Sequence, residues 1–418
     1  MKILLLIGRT VIGGHVISTL TLAKALQAKG HEVYFGAGKG ALVDEIKKQG
    51  IRYIEIPFFL ASFKKKYTYF SLLSWITIKK VIDIVKTEHI EIIHALDAPA
   101  SIIADFVTIA MGVPALTTVC GGPGPVYPLP KFQKLIVFSE ENKKKMIEDF
   151  KWKEENIVVI RNRIDFQGSI KIDELEGSKY EWIKSSCKKI IMASRFDAEK
   201  LSGIFYCINA IKNILQTNSN VALILIGDGS SFDKIKMYAD EINNKIGRQG
   251  IILPGAIVNA NVLLQYADIV LGIGRGALEG MFWGKPTIIV GENGFAGVVE
   301  EGMVEELGYY NFSGRNLKGF VGYEKLEDKI SQMLDNHLYA LKVGMFGRQY
   351  LEQEFDIAQG VEMVEKIYAN ILSEGKVSLK IRIKSFGFSM LNVCRILAED
   401  ALFSTPIEDL WRKIKKIK

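Results

Sequence analysis

Residues 267–291 read ADIVLGIGRGALEGMFWGKPTIIVG. A strand-like run over 268–271 feeds a turn with Gly272, Gly274 and Gly276. A short helical piece carrying Glu279 follows, and Gly284 and Pro286 then launch a second strand. Strand, turn, helix, strand is the unit from which an open parallel α/β sheet is built. Two chemistries use such a turn. In one, Gly272, Gly274 and Ala277 form a GxGxxA dinucleotide fingerprint, with Glu292 as the ribose acceptor beyond the next strand. In the other the turn belongs to a nucleotide-sugar site, where Glu279 accepts the ribose hydroxyls. The fingerprint normally opens its domain, whereas this turn lies in the fourth or fifth unit of its sheet, and the helix over 277–283 is barely two turns.

The same alternation extends in both directions. Towards the amino terminus, Lys2–Ile7 is a buried strand and 16–28 a helix with Val16, Leu20, Ala23 and Leu26 on one face, stopped by Gly30. Strands follow at HEVYFGA, IRYIEI, EIIHAL, PALTTV, KLIVFS and NIVVI. A second series comprises KKIIMAS, NVALILIG, GIILPG, DIVLGI and PTIIVG. The segment 163–188 between the series carries no strong strand and is the linker. The pattern predicts two Rossmann-like parallel domains, 1–165 and 166–350, with ligands in a crevice at the carboxyl ends of the strands. A helical segment, 351–418, follows, in which 351–372 is one helix leaving the second sheet.

Composition narrows the class. The 418 residues are 48% hydrophobic and 24% charged, as in an ordinary globular protein of two domains. The formal charge is +7, but residues 373–418, with ten basic and five acidic side chains, carry +5 of it. The body is nearly neutral, which argues against a nucleic-acid binder. Cys120, Cys187, Cys207 and Cys394 are far apart, with no disulfide or zinc spacing, as suits a reducing cytoplasm. The start MKILLLIGR lacks a signal-peptide cleavage pattern. The most apolar stretch, 102–119, is broken by Asp105, Gly112 and Pro114, so no membrane-spanning helix is expected.

In ASRFDAEK, Arg195 and Lys200 leave a strand five residues apart, a spacing suited to a diphosphate and to the charge it gains on leaving; solvated surface cations are the alternative. In GRTVIGGHV, Gly13 and Gly14 precede a helix whose free N–H groups favour an anion such as a donor phosphate. A tight turn needing positive φ explains the glycines equally. His15 follows them as a candidate substrate contact.

With these pieces assembled, the chain resembles the family 4 glycosyltransferases of the GT-B fold. The resemblance is carried by GGHVISTLTLAKALQAKGHEV, IIHALDAPAS, LTTVCGGPG, LIVFSEENKKKM, VVIRNRID, ASRFDAEK, LILIGDGS and ALEGMFWGKPTIIVG, in family order from residue 13 to 291. It implies Arg195 and Lys200 as the catalytic pair on the donor phosphates and Glu279 on the ribose, with Gly272, Gly274 and Arg275 lining the donor and His15, Asp97 and Cys120 on the acceptor side. It further implies a UDP- or GDP-linked sugar as co-substrate, no metal or other cofactor, a hydroxyl acceptor, and retention without a protein nucleophile. Three departures stand out. Leu271 occupies the first position of the family's paired-glutamate motif, Cys120 stands where many members have histidine, and Asn162-Arg163 replaces asparagine-glycine. A relative that binds without turnover fits these departures as well.

Two segments bear on location. FFLASFKKKYTYF, residues 58–70, mixes phenylalanines with Lys64, Lys65 and Lys66 and suits either inward packing or an anionic bilayer. TPIEDLWRKIKKIK reads as a capped, basic amphipathic helix with Trp411 on its apolar face. Such a helix lies on a membrane or docks on the first domain. These features predict a cytoplasmic protein, peripheral at an anionic membrane surface, with a lipid-linked acceptor or one in a cell-surface polymer.

Overall fold

The computed structural model describes residues 1–10, 13–59, 62–63, 66–67, 70–71, 73–122, 125, 129–131, 134–167, 177–257 and 259–403. The basic segment read as a terminal helix, 405–418, lies outside them, as do Lys64 and Lys65 of FKKKY. The chain forms two compact units: residues 1–161 with the chain from 358 onward, and residues 162–357.

Unit 1 is a seven-stranded parallel sheet. Its strands are β1 (Lys2–Ile7), β2 (Glu32–Ala37), β3 (Arg52–Glu55), β6 (Ile92–Ala95), β7 (Ala115–Val119), β8 (Lys134–Val137) and β9 (Ile157–Val159), ordered β3-β2-β1-β6-β7-β8-β9. A hairpin, β4 (Ser62–Phe63) with β5 (Lys66–Tyr67), stands apart. Strand β1 is apolar because both faces are covered, Ile3 and Leu5 facing one core and Leu4 and Leu6 the other. The covering helices are α1 (Gly14–Ala28), α2 (Val43–Lys48), α3 (Ser74–Thr87), α4 (Ala98–Met111) and α5 (Glu140–Glu148). Order reverses between β1 and β6, and that switch point is where such sheets bind ligands.

Unit 2 holds β10 (Lys188–Ala193), β11 (Val221–Ile226), β12 (Ile251–Gly255), β13 (Ile269–Gly272), β14 (Thr287–Gly291) and β15 (Gly294–Val298), ordered β12-β11-β10-β13-β14-β15. Its helices are α6 (Leu201–Thr217), α7 (Phe232–Ile246), α8 (Arg275–Phe282), α9 (Val304–Tyr309), α10 (Glu324–Asp335) and α11 (His337–Glu354). The switch point falls between β10 and β13. Five strands are parallel, as the sequence predicts, but β15 runs antiparallel to β14 after a two-residue turn at Glu292 and Asn293. That hairpin corrects the expectation of an all-parallel sheet.

The expected helix over 351–372 is broken. After Glu354 the helix stops and Asp356 bridges to Ile164: Ile164 N donates to Phe355 O at 2.8 Å and Ile357 N to Ile164 O at 3.0 Å. Phe355 is buried, and its backbone pairing replaces one helical turn. Helix α12 (Ile357–Ser373) then joins unit 1, where Val361, Val364 and Tyr368 enter the core beside α1. Tyr368 Oη lies 2.6 Å from His94 Nδ1, and Thr118 Oγ1 lies 2.6 Å from His94 Nε2. Burial pulls His94 down to about 3, so the ring is neutral. Helix α13 (Leu379–Phe403) lies against α4. Among the described residues no helix is long and apolar enough to cross a membrane.

Candidate functional site

The loop from β10 to α6 is rigid. Phe196 is buried and stacks on Phe232, its N–H donates to Asp228 O at 2.9 Å, and its carbonyl accepts from Ser231 N at 2.8 Å. The loop therefore holds Arg195 and Lys200 at the switch point of unit 2. Arg195 is partly exposed and paired, its Nη1 lying 2.9 Å from Asp197 Oδ2 and its Nη2 3.9 Å from Glu199 Oε2. Lys200 is half-buried, and its ammonium is pulled below the usual lysine range, first by burial and then by repulsion from Arg195; Arg315 adds to that repulsion, whereas Glu199 and Glu292 oppose it. Arg315 is a third cation that the sequence reading missed. A Cβ on Gly291 would lie 2.9 Å from Gly314 Cα, so two glycines in contact let the Arg315 loop approach the end of β14.

The β13–α8 turn answers the question posed by residues 267–291. Gly274 has φ +52° and ψ −123°, a conformation only glycine adopts readily, and its N–H donates to Phe312 O at 2.7 Å. A Cβ on Gly272 would sit 3.1 Å from Ala277 N, so this glycine lets the strand end press on the first turn of α8. Arg275, expected on the donor, instead turns inward: Nε donates to Glu279 Oε1 at 3.1 Å, and Nη1 to Arg163 O at 3.0 Å and Asn162 Oδ1 at 3.3 Å. Burial raises the Glu279 carboxyl, and the Arg275 guanidinium pulls against it. Its Oε2 has no partner among the described residues.

Leu271 lies within β13 and is buried in the sheet core, so its position is no vacant carboxylate site: the connection to α8 is only Ile273 and Gly274. For the dinucleotide alternative, Glu292 directly follows β14 in the hairpin turn, and α8 has 8 residues.

In unit 1, Gly13 is the residue before α1 and is extended (φ −176°), so the left-handed turn considered for it is not formed. Gly14 opens the helix and His15 is in its first turn. Asp97 precedes α4 and is spent on backbone: Oδ1 accepts from Ala100 N at 2.8 Å and Oδ2 from Gly8 N at 2.7 Å, tying β1 to the start of α4. Burial nevertheless pushes its carboxyl up to about 6. Cys120 Sγ donates to Leu96 O at 3.2 Å, and burial, then the Asp97 charge, raise the thiol well above its ordinary range, so it is not a thiolate nucleophile. The expected site residues thus fall into two sets, with Gly13, Gly14, His15, Asp97 and Cys120 at the strand exits of unit 1 and Arg195, Lys200, Gly272, Gly274, Arg275 and Glu279 at those of unit 2.

Two family models match the chain: Glycosyltransferase Family 4 over residues 12–167 and Glycosyl transferases group 1 over residues 187–336. No curated protein sequence matches. Among solved structures, a glycosyltransferase from Rickettsia africae ESF-5 is 23% identical, with a TM-score of 0.65 over 89% of this chain and 98% of that one. Anabaena Alr3699/HepE in complex with UDP and glucose is 16% identical, with a TM-score of 0.66 over 88% of this chain and all of that one. A sucrose-phosphate synthase from Thermosynechococcus elongatus is 16% identical, with a TM-score of 0.59 over 90% of this chain and 100% of that one.

Proposed function

Because the chain belongs to glycosyltransferase family 4, with the two Rossmann-like domains of the GT-B fold, we propose that it transfers a sugar from a UDP-linked donor to a hydroxyl acceptor, with retention and without a metal. The observation that carries this reading is that Arg195 and Arg315 both lie close enough to Lys200 to repel its ammonium, with Glu279 on α8, the helix that follows β13 at the same switch point. Three cations suit a diphosphate, and their attraction grows as charge develops on the leaving phosphate. The Glu279 carboxylate accepts the ribose hydroxyls through Oε2 while Arg275 holds Oε1. UDP rather than GDP is favoured because the similar Anabaena protein was solved with UDP.

In the reaction the bond from the anomeric carbon to the β-phosphate oxygen breaks as the acceptor oxygen bonds to that carbon on the same face. The acceptor proton passes to the leaving phosphate. No protein nucleophile enters, in keeping with the protonated Cys120 thiol. We assign Gly13, Gly14 and His15 to substrate contact from unit 1, and Asp97 to holding the β1 and α4 ends in place. The acceptor in this reading is lipid-linked or part of a cell-surface polymer, reached from the cytoplasmic side.

Calorimetric titration with UDP, GDP and NADH tests the donor, and mass analysis of products from a panel of UDP-sugars tests the transfer. UDP should bind and Glu279→Ala should abolish the response. Tight NADH binding with no response to any nucleoside diphosphate would reverse the reading. UDP binding with neither transfer nor donor hydrolysis would mark a binding protein without turnover.

A further inference from the structure

We propose that α13 presents a docking surface for an anionic lipid bilayer. The rotation of this helix is fixed from inside. Asp105 of α4, 1% exposed, accepts hydrogen bonds from Ser385 Oγ at 2.7 Å and from Ser389 Oγ, one turn apart on α13. Arg382 donates from Nε to Ile109 O at 2.6 Å and from Nη2 to Ala110 O at 2.8 Å, at the end of α4. Val393 and Ile396 continue the same buried line.

With that line turned inward, 3.6 residues per turn place Leu379, Ile383, Phe386 and Met390 on the adjoining side. Leu379 is 66% exposed, Ile383 64% and Phe386 48%. The next side carries Lys380, Lys384 and Leu391, all exposed. From 374 to 398 there are five basic residues and one acidic. A row of exposed apolar side chains beside a row of lysines matches a bilayer with anionic headgroups, where the apolar row enters the acyl boundary and the ammonium groups stay at the headgroups. A second copy fits less well, because burying the apolar row against its counterpart brings the lysine rows together. Residues 404–418 are basic too, and so carry the wrong sign to cover this face.

The inference is independent of the donor reading, and its readout is lipid. The full chain is floated with vesicles of phosphatidylglycerol and phosphatidylcholine, and with phosphatidylcholine alone. A Leu379→Ser, Ile383→Ser, Phe386→Ser variant should keep the wild-type melting temperature and UDP affinity yet bind the anionic vesicles at least tenfold less. Lys380→Glu with Lys384→Glu should lose binding similarly. Equal binding to neutral vesicles, or a serine variant that binds like wild type, would overturn the proposal. So would a dimer in sedimentation equilibrium that the serine variant dissolves while the wild type ignores lipid.

Discussion

Lys200→Ala should weaken UDP binding far more than Arg195→Ala, although both cations lie on one loop. The difference comes from what each does before the ligand arrives. Arg195 is exposed and already paired with Asp197 at 2.9 Å and Glu199 at 3.9 Å, so a diphosphate must share or displace those carboxylates. A charge-assisted hydrogen bond contributes about 1.5–3 kcal/mol. Against it stands the loss of an exposed ion pair, about 0.2–1 kcal/mol, and the remaining repulsion of two carboxylates. The net loss expected for Arg195→Ala is about 1 kcal/mol, roughly fivefold in Kd. Lys200 is half-buried and repelled by Arg195 and Arg315, so an arriving anion relieves repulsion already present. Its removal should cost about 2–3 kcal/mol, roughly 30- to 150-fold. Asp197→Ala should tighten UDP by about twofold to fivefold, because it frees Arg195. Titration calorimetry at physiological ionic strength measures all three. An Arg195→Ala loss as large as that of Lys200→Ala, or weaker binding in Asp197→Ala, would refute the reasoning.

His94, held at about 3 in the fold against about 6.5 in an unfolded chain, makes no pH-dependent contribution above about pH 6.5 and costs stability as pH falls towards 3. Denaturant titrations should show His94→Asn losing about 2 kcal/mol less than wild type between about pH 8 and about pH 5, and equal losses would count against a neutral buried ring. Asp105→Ala leaves the Ser385 and Ser389 hydroxyls buried without their acceptor, so hydrogen exchange should show α13 deprotected by about 2–5 kcal/mol; unchanged protection would show that the carboxylate does not hold the helix. Gly274→Ala meets no crowding, since the added Cβ would lie 3.9 Å from Asn311 O, so the expected loss of about 1–3 kcal/mol is backbone strain alone, and an unchanged melting temperature would disprove it.

What the sequence made legible was local. The apolar runs KILLLI and VALILI announce strands covered on both faces, and Val16, Leu20, Ala23 and Leu26 announce the buried side of α1, because burial imposes a period on neighbouring residues. Strand β15 escaped notice because GFAGV has two glycines and little β-branching, although the Asn293-Gly294 pair was a hairpin signal. The break at Phe355 and Asp356 depends on Ile164, far away in the chain, and no local pattern encodes it. The site divides in the same way. Arg195, Lys200 and Glu279 sit at strand exits and helix starts that the alternation locates. Arg275 was misplaced because its partners, Asn162 and Arg163, precede it by 113 and 112 residues. Arg315 was missed because it reaches the site only through the contact of Gly291 with Gly314.

The return of α12 to unit 1 sets an order on synthesis. The strands up to β9 leave the ribosome with the apolar surface that Val361, Val364 and Tyr368 will cover still open, and His94 lacking one of its two hydroxyl partners. Roughly two hundred residues must be added before Tyr368 exists, which at about 5–20 residues per second leaves that surface bare for about 10–40 s. Unit 2, drawn from one unbroken stretch, has all its strands in hand during that interval and can close first. A nascent chain stalled before Ile357 therefore presents a first unit with a wall missing, which is the state a chaperone would meet.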